Sequence, residues 1–277
     1  MGNLEGEGRR CDGVLIIINQ LRRMVLETFP RGRHLGIIFV FVILGAAVPL
    51  IDLLVIQMFS SIIIEGQSME MSAIIPQSVI FFTLFIAMRG AHFFQKTYKV
   101  TVIKKAFDQI GRERTRMQEM WDWTVAMELT NSLTDAVKLL VFLPFFAYIS
   151  WQFGLVNLVI VLVSAEAIGR LFRSQLRLQA GFVAKRITKR EFTKPFESMS
   201  GRIKMSEISA LVANGGFVVI LFLILLLSFS GLADPAGLVV LFLGSRMQTS
   251  TLSNLSSSLM RLARGRANQL ESVDEID

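Results

Sequence analysis

The chain has 277 residues, of which 52% are hydrophobic and 18% charged. Soluble domains carry about a quarter charged residues, so this balance excludes an ordinary soluble domain and points to an integral membrane protein. The lone Cys11 excludes an intramolecular disulfide framework and argues against a cysteine metal site. His34 and His92 read as boundary residues rather than ligands. The segment MGNLEGEGRRCDG lacks an apolar core and a small-residue cleavage site, so it does not read as a signal peptide. Met1-Gly2 begins like an acylation signal, but position six is Gly6 where Ser or Thr is required.

Residues 14–27, VLIIINQLRRMVLE, alternate apolar and polar side chains at near-helical spacing. Too short and too charged to span, they predict an amphipathic helix on the inner leaflet, with Arg22 and Arg23 toward lipid phosphates and Pro30 beyond its end. A first span is predicted from Leu35 to Ile64, longer than the ~20 residues a bilayer needs. It contains Pro49 and Asp52. An acid inside a span is a functional candidate by default, although Asp52 also fits a position at the outer boundary.

The second span starts near Ile75-Pro76, with proline in the first turn where its missing N–H is harmless. It continues as the charged helix KTYKVTVIKKAFDQIG, with Gly111 as a stop. An amphipathic stretch, RERTRMQEMWDWTVAMELTNSLTDAVK, leads into the third span. Spans three and four are two apolar runs that meet at Tyr148-Ile-Ser-Trp-Gln152. Helices alone satisfy a backbone in hydrocarbon, so these runs predict a tight hairpin with Tyr148 and Trp151 as interfacial anchors. Span five is predicted over about Leu211 to Phe229 and span six over about Pro235 to Leu252. A Ser- and Asn-rich tail carries the helical period onward.

The net charge of +7 is concentrated in four blocks: Arg9 to Arg33, Arg89 to Arg116, Arg170 to Lys204, and Arg246 to Arg266. The connections Ser61 to Ile75, Tyr148 to Gln152 and Ser230 to Pro235 contain no Lys or Arg. This alternation is the positive-inside pattern; it places both termini in the cytoplasm with an even number of spans. The basic surplus therefore reads as topology, and no nucleic-acid partner is expected. The expected fold class is an all-α membrane protein: an elbow helix and cytoplasmic N-terminus over 1–30, six transmembrane helices over 31–260, and a cytoplasmic tail over 261–277. No catalytic motif is present, and no GxxxxGK[ST] phosphate loop.

Four stretches carry a resemblance. Val48-Pro-Leu-Ile-Asp52 in span one is a proline-plus-acid pattern. Tyr148-Ile-Ser-Trp-Gln-Phe-Gly-Leu155 is a Ser-Trp turn between spans three and four. Glu197-Ser-Met-Ser-Gly-Arg-Ile-Lys204, followed by Glu207, lies near the second cytoplasmic arm. Leu262-Ala-Arg-Gly-Arg-Ala-Asn-Gln-Leu-Glu-Ser-Val-Asp274 leaves span six. In this order they resemble the transmembrane domain of ATP-binding cassette (ABC) exporters, over about Arg22 to Asp277. The resemblance implies a permease subunit in the plasma membrane that moves its substrate by alternating access. It implies no cofactor in this chain, with ATP and Mg on a separate ATPase subunit, and a second transmembrane subunit as partner. It implies coupling residues Gly111, Arg112, Glu197, Gly201, Lys204 and Glu207 on the cytoplasmic arms. Both arms are shorter than the family's, which leaves a second reading open: a non-transporting membrane scaffold or regulatory half.

Polar residues within spans are the candidates for a substrate cavity: Arg89, Glu166, Asn214, Arg246 and Asn254, with Asn157 and the run Gln248 to Ser258 beside them. Arg89 and Arg246 are expected in the inner half of their spans, where they either snorkel to the interface or form a cationic wall for an anionic lipid or conjugate. The Ser/Thr/Asn stripe of span six suits close helix packing. A membrane enzyme is disfavoured, since no paired carboxylate, His or Cys constellation shares one depth.

Overall fold

The computed structural model describes residues 12–29, 33–65, 71–108, 116–189, 195–231 and 234–274. These form α1 (Asp12–Thr28), α2 (Arg33–Glu65), α3 (Met71–Asp108), α4 (Arg116–Ile149), α5 (Trp151–Lys189), α6 (Pro195–Ser230) and α7 (Pro235–Asp274). No strand occurs among the described residues. Five helices are long and apolar enough to cross a bilayer: α2 over Leu35–Ile64, α3 over Ile74–Lys105, α4 over Gln118–Ile149, α5 over Trp151–Gln179 and α6 over Ile203–Ser230. That is the make-up of an integral membrane protein. The expected sixth span lies in α7, which has the length but falls short in hydropathy. Its Ser, Thr, Gln and Asn residues dilute the apolar ones. The helix is also continuous from Pro235 to Asp274, with no break at residue 260.

Two buried clusters fix the direction of each helix. One gathers Leu53, Phe142, Phe146, Phe153, Ile220, Leu227, Val240 and Leu241. The other holds Val42, Ile103, Leu129, Ile168, Phe172, Ala213, Leu255 and Leu259. Successive helices from α4 to α7 enter these clusters in opposite order, so they run up and down alternately. The first cluster lies at the end of the α4–α5 turn; the second lies toward the chain termini. Phe146 packs edge-on against Phe153 at 5.4 Å across that turn, a favoured aromatic geometry.

The predicted hairpin narrows to one non-helical residue, Ser150. Its hydroxyl accepts a long bond from the Phe153 N–H at 3.4 Å and its carbonyl accepts from Gly154 N at 2.9 Å. Serine at this position is a helix N-cap. Tyr148 and Trp151 flank it and are 87% and 64% exposed, as interfacial anchors should be.

The helices are not equally enclosed. α7 packs against α2, α4, α5 and α6, whereas α3 packs substantially only along α2. The amphipathic α1 buries Ile17, Leu21, Met24 and Val25, spaced at i, i+4, i+7 and i+8, against α5 and α4. Arg22 and Arg23 remain exposed.

Candidate functional site

The five sequence candidates for a substrate cavity divide into two groups. Arg89, Asn214, Arg246 and Asn254 are exposed on the surface of the single chain. The Arg89 guanidinium stands 5.2 Å over the Phe85 ring of its own helix, a cation–π contact. Arg89 and His92 of α3 are the basic residues on the side of Asp52 of α2. Asp52 adjoins Leu53, which packs in the turn-end cluster with Phe146. Arg246 follows Gly244, which faces the same Leu53 and Phe146. Arg89 stands near the middle of the apolar window Ile74–Lys105 of α3, and Arg246 stands two residues from the turn-end cluster.

Glu166 belongs to a different structure. Its carboxylate accepts from the Val14 N–H at 3.2 Å and from Arg170 Nε at 2.9 Å. It caps the N-terminus of α1, where orphan N–H groups and the helix dipole favour an anion. The two helices meet almost backbone to backbone. A Cβ on Gly13 would lie 2.6 Å from the Glu166 carbonyl oxygen, and one on Gly169 would run into the Gly13 backbone. Only glycine permits that crossing. Glu166 and Arg170 also stand beside an open groove of about 580 Å³ between α5 and α6, walled by Leu162, Val163, Ile208 and Val212.

The polar residues of α7 are paired inside the bundle. Asn157 and Gln248, both almost wholly buried, exchange reciprocal amide bonds at 3.0 and 3.1 Å between α5 and α7. Ser209 Oγ donates to Ser256 Oγ at 2.5 Å between α6 and α7. Interhelical bonds of this kind hold spanning helices where no hydrophobic force between them exists. This is the packing role expected for the Ser/Thr/Asn stripe.

Of the coupling residues, Gly111 and Arg112 lie outside the described residues. Glu197 and Gly201 fall within α6, with their side chains outside what is described; Lys204 and Glu207 are exposed on α6. No hydrogen bond or ion pair joins Lys204 or Glu207 to another helix among the described residues.

Sequence reasoning missed one constellation. α3 and α4 flank α2 with a groove between them. At its floor Gly45 carries no side chain; a Cβ there would collide with the Gln95 amide and lie 2.8 Å from the Thr134 methyl. Gln95 Nε2 donates a long bond, 3.4 Å, to the Phe41 carbonyl. One turn further along α3, Lys99 Nζ reaches across the groove and donates to Asn131 Oδ1 at 2.6 Å. The charged groups that act on Lys99 are Asp135, Lys138 and Glu128. Asp135 is paired with Lys138 at 2.8 Å. Glu128 is gripped by Arg261 of α7 at 2.6 and 3.1 Å, a bidentate geometry. Both acids have cationic partners of their own, so the half-buried Lys99 has a neutral amide as its hydrogen-bond partner among the described residues. An ammonium with two N–H donors left can hold an anion.

The signal was in the sequence. Glu128, Asn131, Asp135 and Lys138 recur at i, i+3, i+7 and i+10, which is one face of a helix. Among the described residues no group of three His, Cys, Asp or Glu stands close enough to hold a metal. No protein-family model and no curated protein matches this chain.

Proposed function

We propose that this chain is the membrane subunit of an ABC-type exporter, paired with a second transmembrane subunit and driven by ATP hydrolysis on a partner ATPase. One observation carries the reading: Arg89, Asn214, Arg246 and Asn254 are polar, lie in the long helices α3, α6 and α7, and face outward from the single bundle. Charged side chains in spans face a bundle interior or an aqueous cavity. A second subunit closing over these residues would turn an untenable lipid-facing surface into the wall of a shared translocation cavity. Closed symmetric pairing is the ordinary route to such an interior.

Two features support the reading further. α3, α5, α6 and α7 run 38, 39, 36 and 40 residues, each over ~50 Å at 1.5 Å per residue, well past a ~30 Å hydrocarbon layer. Their excess length carries the basic blocks, as cytoplasmic arms would. In this account α7 is the sixth span. Protein surrounds it on several sides, so it need not be as apolar as a lipid-facing helix, and both termini fall in the cytoplasm of a plasma-membrane protein.

The second reading, a non-transporting scaffold, is favoured by the brevity of the cytoplasmic links. Only residues 109–115 join α3 to α4, and only 190–194 join α5 to α6, which leaves little room for a transverse coupling helix. A tagged pull-down from membranes in mild detergent, followed by mass spectrometry and an ATPase assay, separates the two. A stoichiometric ATPase subunit with vanadate-sensitive turnover is the expected result. Recovery of the chain with no nucleotide hydrolysis would sink the exporter reading and leave the scaffold.

A further inference from the structure

The groove between α3 and α4 makes a second, independent demand. A half-buried ammonium with N–H donors unused favours an anionic partner. Lys99 hydrogen-bonds a neutral amide, while the acids nearest to it, Asp135 and Glu128, are held by Lys138 and Arg261. The groove is open sideways, because α3 packs substantially on α2 and not on α4.

Depth selects the ligand. Asn131 lies 18 residues before Ile149, the last residue of α4, which is about 27 Å at 1.5 Å per residue. The exposed Tyr148 and Trp151 mark one membrane boundary. Lys99 and Asn131 therefore meet at the other, where phospholipid headgroups lie. One to two turns toward the membrane centre, Phe93 and Phe94 are 68% and 62% exposed, offering apolar surface where acyl chains begin. Beyond Lys99, the exposed Lys104 and Lys105 add positive potential on the headgroup side.

We propose that the α3–α4 groove binds the phosphate of one anionic phospholipid from the basic-side leaflet, with Lys99 as its principal ligand. The headgroup phosphate accepts from the two Lys99 N–H groups left free by Asn131. The Lys99–Asn131 bond holds the ammonium over the groove.

Native mass spectrometry of the full chain in detergent tests this, with dioleoyl phosphatidylglycerol and dioleoyl phosphatidylcholine as probes. The wild type should retain one phosphatidylglycerol in preference to phosphatidylcholine. Lys99→Gln should reduce that retention about fivefold, the worth of one basic residue at an anionic surface. Arg177→Gln, an equal charge change at an exposed site on α5, should leave retention unchanged. Melting of each variant in phosphatidylcholine nanodiscs establishes that it is folded. Asn131→Leu, which removes the lysine's hydrogen-bond partner and leaves the lysine in place, should give an intermediate loss. Equal retention by wild type and Lys99→Gln would overturn the proposal, as would an equal drop in Arg177→Gln. Stabilisation by inorganic phosphate in phosphatidylcholine nanodiscs, with no preference for phosphatidylglycerol, would assign the site to a free anion and overturn the lipid.

Discussion

α3 and α7 are nearly equal in length, 38 and 40 residues, and opposite in every other respect. α3 is apolar enough to count as a span, yet only 6% of its span window is buried. α7 is too polar to count, yet Val240, Leu241, Ser245, Gln248, Leu259, Leu262 and Ala263 are all shielded within the bundle. α3 turns most of its surface away from the bundle, and over its first half that surface is largely apolar, with Arg89 as the charged exception. Protein surrounds α7, so it admits polar side chains wherever each finds a partner. In this chain, burial is marked by small and polar residues, and hydropathy alone ranks the two helices the wrong way round.

That contrast is open to attack by substitution. The largest effect is expected at the centre of α7. Leu259→Ala, at a fully buried position, should destabilise by about 2–5 kcal/mol, read as a lowered unfolding midpoint in detergent. A neutral result would mean that α7 is loosely held. Gln248→Leu should cost about 1–3 kcal/mol, because Asn157 is left buried and unpaired. The double change Asn157→Leu with Gln248→Leu should recover most of that loss, and a double-mutant cycle measures the difference. Glu166→Ala should cost about 0.5–2 kcal/mol through the lost α1 cap. If Glu166 instead contacts substrate, transport would fall while the unfolding midpoint held. The smallest effect belongs to α3: Phe82→Ala, at a 61% exposed site, should stay within about 0.5 kcal/mol for the isolated chain. A larger loss appearing only in the assembled complex would place a partner on that face.

Much of the fold was legible because the bilayer leaves few choices. The first span emerged with the bounds Leu35–Ile64, and the elbow prediction over 14–27 lies inside α1. The hairpin at Ser150 could be read from two apolar runs with no charge between them. What escaped depended on contacts between distant parts of the chain. The cap that Glu166 places on α1 escaped, because nothing local reveals that Val14, 152 positions away, uses its carboxylate. Lys99 read as part of a charged helix, since only the packing of α3 and α4 on the same helix, α2, brings it to Asn131. The hydropathy of α7 pointed the wrong way for the reason already given: its solvent is protein.

The central claim is that the outward-facing polar residues border water in the assembled complex. Cysteine accessibility tests it most directly. With Cys11 replaced by serine, single Arg89→Cys and Arg246→Cys chains in native membranes should react readily with a charged, water-soluble thiosulfonate. A Val219→Cys control, on the exposed apolar surface of α6, should not. Arginine positions as inert as the α6 control would place them in lipid and contradict the account.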